Sequence, residues 1–180
     1  MQTRDRAAYE EACTKITTRF EGTAEPYTAD RMATVCLLLP RPDADLKVPS
    51  ELAALAVAKD SQSPGRHYFQ CSKALAEFRQ GHWDGATDWA RKAAENPSPY
   101  TRAQAYAILA MAQSQLKQTE TSRETLSKCV EIVQRQLPKL ENGDLGRNWR
   151  DWIITHTLQS EAKRMIEGEP SAARPANLPP

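Results

Sequence analysis

From residue 5 onward, apolar side chains recur every three or four positions, the period of an amphipathic helix. Residues 5–20 place Tyr9, Ala12, Cys13, Ile16 and Phe20 on one face, and Gly22 follows as a natural stop. The pattern returns over 28–39 with Met32, Ala33, Cys36 and Leu39, and Pro40 closes it. Pro40, Pro42 and Pro49 mark Arg41–Pro49 as a loop before a short helix, 50–60, that carries Leu52, Leu55 and Ala56. Ser61–Gly65 reads as a turn by composition. Helices are then predicted over 66–80, 83–95, 99–117 and 120–137, with Gly81 between the first two and Ser98-Pro99 as N-cap and first helical residue of the third. After Leu137-Pro138 and the loop Glu141–Gly146, a last helix over 147–167 sets Trp149, Trp152, Ile153 and His156 at i, i+3, i+4 and i+7. Residues 168–180 contain four prolines and almost no large apolar residue, so a disordered tail is predicted there.

Composition sharpens this into a fold class. Of 72 apolar residues, 26 are alanine and only 11 are valine or isoleucine. Alanine is the best helix former and strands favour β-branched side chains, so a β-rich fold is excluded in favour of an all-α one. The expectation is one helical domain over 1–167, with about eight helices.

Charge and motifs narrow the chemistry. Lysine and arginine number 24 against 23 acidic residues, without the basic excess of a general nucleic-acid binder. Apolar runs such as Val35–Leu39 and Leu52–Ala58 fall far short of the roughly 20 residues that a membrane-spanning helix needs. The opening Met1–Ala8 is charged with no apolar stretch behind it, which leads to the expectation of a cytoplasmic chain. Cys13, Cys36, Cys71 and Cys129 form no C-x-x-C pair and fall at apolar positions, where a thiol packs as a small hydrophobe. His67, His82 and His156 have no metal-ligand spacing; His82 is expected in solvent and His156 partly buried on the tryptophan stripe. No nucleophile elbow, phosphate loop or H-E-x-x-H occurs, so neither a catalytic residue, a metal nor a cofactor is expected. The four tryptophans are assigned to the core, with Trp149 and Trp152 on a terminal helix that covers the last helical pair.

An offset of 36 residues superposes small side chains: Ala74 on Ala110, Ala86 on Ser122 and Ala93 on Cys129. Gly81, Ala86, Ala90, Ala93 and Pro97 in the first copy, with Tyr106, Leu109 and Ala110 in the second, resemble the tetratricopeptide repeat, a helix-turn-helix unit. The first copy departs from the pattern at Gln70, Lys73 and Glu77, and the second at Lys117 and Ser122. The resemblance implies a right-handed superhelical array of hairpins whose small residues let helices approach closely.

A wider likeness rests on Tyr9-x-x-x-Cys13, Phe20–Thr23, Thr28–Arg31, Cys36–Pro40, Tyr68–Gln70, Leu75–Asp84, Leu137-Pro138, Gly143–Gly146 and Asn148-Trp-x-Asp-Trp152. Together these resemble the repeat-bearing region that lies C-terminal to the catalytic domain in large serine/threonine kinases of planctomycete-type bacteria. That implies an accessory, non-catalytic role. The chain has no Gly-rich loop, V-A-I-K lysine or H-R-D loop, and Asp144-Leu-Gly146 matches D-F-G only in passing.

In tetratricopeptide arrays the first helix of each hairpin lines the concave side. Here that places Tyr68, Cys71, Ser72, Leu75 and Arg79 beside Gln104, Ile108, Met111 and Gln115, a mildly apolar groove for a protein or peptide partner. Chaperone-binding members present a lysine and asparagine clamp for a carboxylate. At those places stand Cys71, Leu75, Gln104 and Ile108, so no such clamp is expected. The leading expectation is a non-enzymatic interaction module. The alternative is a structural spacer without a partner of its own, holding neighbouring domains apart; for the groove itself, the alternative is that the chain's own N-terminal hairpin fills it.

Overall fold

A computed structural model describes residues 5–41, 44–59 and 63–168, and every regular element among them is helical. The order is α1 (Arg6–Phe20), α2 (Pro26–Leu37), α3 (Lys47–Lys59), α4 (Arg66–Arg79), α5 (Trp83–Ala94), α6 (Pro99–Gln115), α7 (Thr119–Gln136) and α8 (Trp149–Glu167). Two short 3-10 turns precede α8. The predicted tail lies outside the described residues apart from Gly168.

Most boundaries fall within two residues of the periodicity, and the exceptions have local causes. Pro26 opens α2 as its first residue, while the Glu25 carboxylate accepts from the Tyr27 and Thr28 amides at 2.9 and 2.6 Å. The helix α3 starts at Lys47 and so takes in Pro49, which the sequence reading had left in the loop. A proline in the first turn removes an amide that has no intrahelical acceptor in any case. Asp45 caps this start by accepting from the Lys47 amide at 2.8 Å.

Each helix from α2 to α7 packs on its successor, and alternate helices touch as well: α2 on α4, and α4 on α6. This packing is consistent with a helical repeat array. The turns after α4 and α6 share one geometry 36 residues apart. Gly81 takes φ +79° and Lys117 takes φ +62°, both left-handed. His82 N–H donates to the Glu77 carbonyl and Gln118 N–H to the Gln113 carbonyl, each at 2.9 Å, which closes a Schellman-type end. Ala74, Ala86, Ala93 and Ala110 are all fully buried where helices meet. Ser122 replaces alanine without an orphaned polar group, because its hydroxyl donates to the Ala110 carbonyl at 2.9 Å.

The C-terminus of α2 is held by side chains from three places. Tyr9 Oη donates to the Val35 carbonyl at 2.8 Å, and Arg41 donates to Cys36 at 3.1 Å. Arg79 donates to Leu37 and Leu38 at 2.8 and 2.9 Å. All four carbonyls that the helix end would leave without partners are thereby satisfied. The same guanidinium grips Glu161 of α8 at 2.5 and 2.7 Å, with both side chains more than nine-tenths buried. Thus α8 does not only cover α7: it lies along α6 and is bolted through Arg79 to the end of α2.

Candidate binding site

The groove expected along α4 and α6 has acquired walls. Ser72 of α4 meets Asp30 near the start of α2, and Arg79 meets Leu37 and Leu38 at its end, so α2 and α4 run the same way. Gln104 of α6 reaches the Asp151 carbonyl and the Thr155 hydroxyl at 3.3 and 3.2 Å, while Glu161 lies at Arg79. The helix α8 therefore runs alongside, opposite α2. Between α2 and α8, above α4 and α6, a cavity of about 380 Å³ remains.

Its floor carries Tyr68, Cys71, Ser72, Leu75, Gln104 and Ile108, five of the eight predicted contact residues together with Cys71. The other three do not line it. Arg79 is committed to α2 and α8, and Met111 is fully buried in the core. Gln115 turns its amide toward the Met165 sulfur at 3.6 Å. The groove is thus not an open concave surface over its full length: α8 occupies the end where Arg79, Met111 and Gln115 lie. α2 of the N-terminal hairpin forms one wall of the cavity, and α8 forms the other.

Three large apolar side chains rim the cavity and stand in solvent: Val35 at 36%, Ile153 at 39% and Trp149 at 57% exposure. For Trp149 this corrects the expectation of core use. It is the first residue of α8 and stands at the edge of the cavity, where its ring is only partly covered. Trp152 does pack inward, donating Nε1–H to the Pro138 carbonyl at 2.8 Å and stacking on His156 with centroids 3.8 Å apart. Trp89 is half-buried with Lys92 over its ring at 4.4 Å, and Trp83 is exposed. His82 is exposed but held by Glu77 at 3.0 Å, whereas burial lowers the pKa of His156.

The polar end of the cavity holds Asp30 and Asp151, which the sequence reading missed. The signal was available: Asp30 shares a helical face with Ala33 and Leu37, so a carboxylate stands in register with core positions. Asp30 is 9% exposed and accepts one side-chain hydrogen bond, from Ser72 Oγ at 2.8 Å. Burial pushes it up from 3.8 to about 6, against the opposing pull of the Ser72 bond and of Arg150 and Arg31. Asp151 is also raised by burial, and Cys71 is raised by burial and by the two nearby carboxylates. Arg31 and Arg150 line the mouth but are exposed, and among the described residues neither carboxylate has a cation within ion-pair distance.

All four cysteines are buried free thiols, and among the described residues no group of His, Cys, Asp and Glu is arranged to hold a metal ion. No described helix is long and apolar enough to cross a membrane. Compared with known protein families, with curated proteins and with solved structures, the chain matches none.

Proposed function

We propose that this chain is a non-enzymatic protein-interaction module, of the accessory kind implied by its resemblance to the C-terminal regions of bacterial serine/threonine kinases. It docks a partner protein's side chain that has a substantial apolar part in the cavity between α2 and α8. One observation carries the reading: Val35, Trp149 and Ile153, from two different helices, stand exposed around a single largely apolar cavity. Apolar side chains scattered singly over a surface are ordinary, whereas three converging on one concavity are the usual composition of a docking site. A floor of fully packed residues adds preorganisation, which limits the entropy lost on binding. The burial of Arg79 and Met111, and the contact of Gln115 with Met165 of α8, favour the second reading, a spacer that has filled its own groove.

Panning a random-peptide display library against the full chain separates the two. The module reading expects enriched peptides that share one anchor side chain with a substantial apolar part. Their affinity should fall about tenfold or more when Val35 and Ile153 are both changed to serine, the cost of losing the apolar contact at the rim. No enriched peptide, or equal binding to both proteins, favours the spacer.

A further inference from the structure

We infer that the cavity between α2 and α8 receives a lysine or arginine side chain of the partner, its cation held between Asp30 and Asp151 and its aliphatic shaft against Leu75, Ile108 and Ile154. The inference rests on the docking reading above and names the chemistry of its occupant.

The cavity has two unlike ends. Toward Arg79 it is walled by Leu38, Leu75 and Leu158; toward the start of α2 it holds two carboxylates from opposite walls. A carboxylate in an apolar surround is costly unless a cation or several donors compensate it. Asp30 has a single side-chain donor, and that shortfall is why it holds its proton up to about pH 6. The charged and titratable groups around it are Arg31 on its own helix, Cys71 and Tyr68 on α4, and Arg150 and Asp151 on α8; α6 brings the neutral Gln104 and, near Asp151, Tyr100. Both arginines are exposed, so water screens them, while the carboxylates sit where the effective dielectric is lower and their field stronger. A site with one buried and one half-buried carboxylate and an apolar shaft-sized space, whose lining arginines stand exposed at the mouth, is complementary to a cation on a hydrocarbon stem. An acidic or neutral anchor would leave the carboxylates uncompensated.

The test uses the full chain and two small probes of equal length, n-octylammonium and n-octanol, titrated by NMR while the Ile108 and Ile154 methyl signals are followed. The ammonium should bind about tenfold or more tightly than the alcohol at pH 7.5, and Asp30→Asn or Asp151→Asn should bring the two together. Lowering the pH from 7.5 to 5 should also weaken the ammonium, since Asp30 gains its proton in that window, and leave octanol unchanged. Thermal melting of each variant checks that it remains folded. Equal binding of the two probes to the unaltered chain overturns the cation assignment and leaves the apolar docking reading standing. Asparagine variants that bind the ammonium as the unaltered chain does overturn it likewise. If neither probe moves the methyl signals, the assignment also fails, and the docking reading is then judged by the peptide panning alone.

Discussion

Asp30 is the residue at which local energetics and binding meet. Its value is raised from 3.8 to about 6, so between those pH values the folded chain holds a proton that the unfolded chain has released. Stability from this group is therefore greatest below about pH 4 and falls as the pH climbs to 6; above that its ionised form costs about 3 kcal/mol. Asparagine keeps an oxygen for the Ser72 hydroxyl and carries no charge. Asp30→Asn should accordingly stabilise the chain at pH 7.5 by about 1–3 kcal/mol and flatten the fall between pH 4 and 6. Urea midpoints across that range measure it; a destabilised variant with an unchanged pH profile would show that the carboxylate is compensated. Periodicity put Asp30 on the buried face of its helix, yet a helical wheel cannot say that the opposite wall brings a second carboxylate. Asp151 lies 121 positions away, and only the packing of α8 brings it near.

Among the elements, the two left-handed turns are the most informative. Lys117 stands where the tetratricopeptide pattern has a turn glycine, a departure in sequence. The backbone makes the same turn anyway, with φ +62° at a residue that carries a β-carbon. The Schellman-type bonds and the packing of α6 on α7 over-determine the geometry, so the chain tolerates strain that an isolated turn would relieve. An L-residue there costs roughly 1–2 kcal/mol, partly offset in a glycine variant by greater freedom of the unfolded chain. Lys117→Gly should raise stability by about 0.5–1 kcal/mol, and Gly81→Ala should lower it by a similar amount. Paired denaturant titrations check both; a destabilised Lys117→Gly, or a Gly81→Ala that loses nothing, would show that the two turns are not equivalent. Helix identity and turn position were legible because both are local. The three-sided capping of α2 by Tyr9, Arg41 and Arg79 was not, because its donors come from α1, the following loop and α4.

For the whole molecule, α8 is the element on which the rest depends. It buries Ile154 and Leu158, covers α6, and supplies Glu161 to the otherwise uncompensated Arg79. Each large side chain contributes about 2 kcal/mol, and breaking a buried ion pair costs about 3–5 kcal/mol. That sum is comparable with the total stability of an ordinary domain, about 5–15 kcal/mol. Deleting residues 147–167 should therefore abolish the soluble folded state, as circular dichroism and sedimentation would show; a helical, monomeric truncation would refute this role. The expectation that a terminal helix covers the last pair understated the part it plays. Its first turn also projects Trp149 and Ile153 around the cavity, so the helix that closes the fold builds half of the candidate site.

The sequence by itself determined the all-helical class, the eight helical segments, the glycine turn at 81 and the close-packed alanines, since each follows from spacing and propensity within a few residues. It also placed Tyr68, Ser72, Leu75, Gln104 and Ile108 on one surface. Only the tertiary structure decided whether that surface stayed open. A helix pattern specifies which face is apolar but not which apolar face it will meet, and α8 had several to choose from. In the folded chain α8 lies along α6 with Glu161 paired to Arg79, leaving a bounded cavity with two carboxylates where the sequence suggested a long groove.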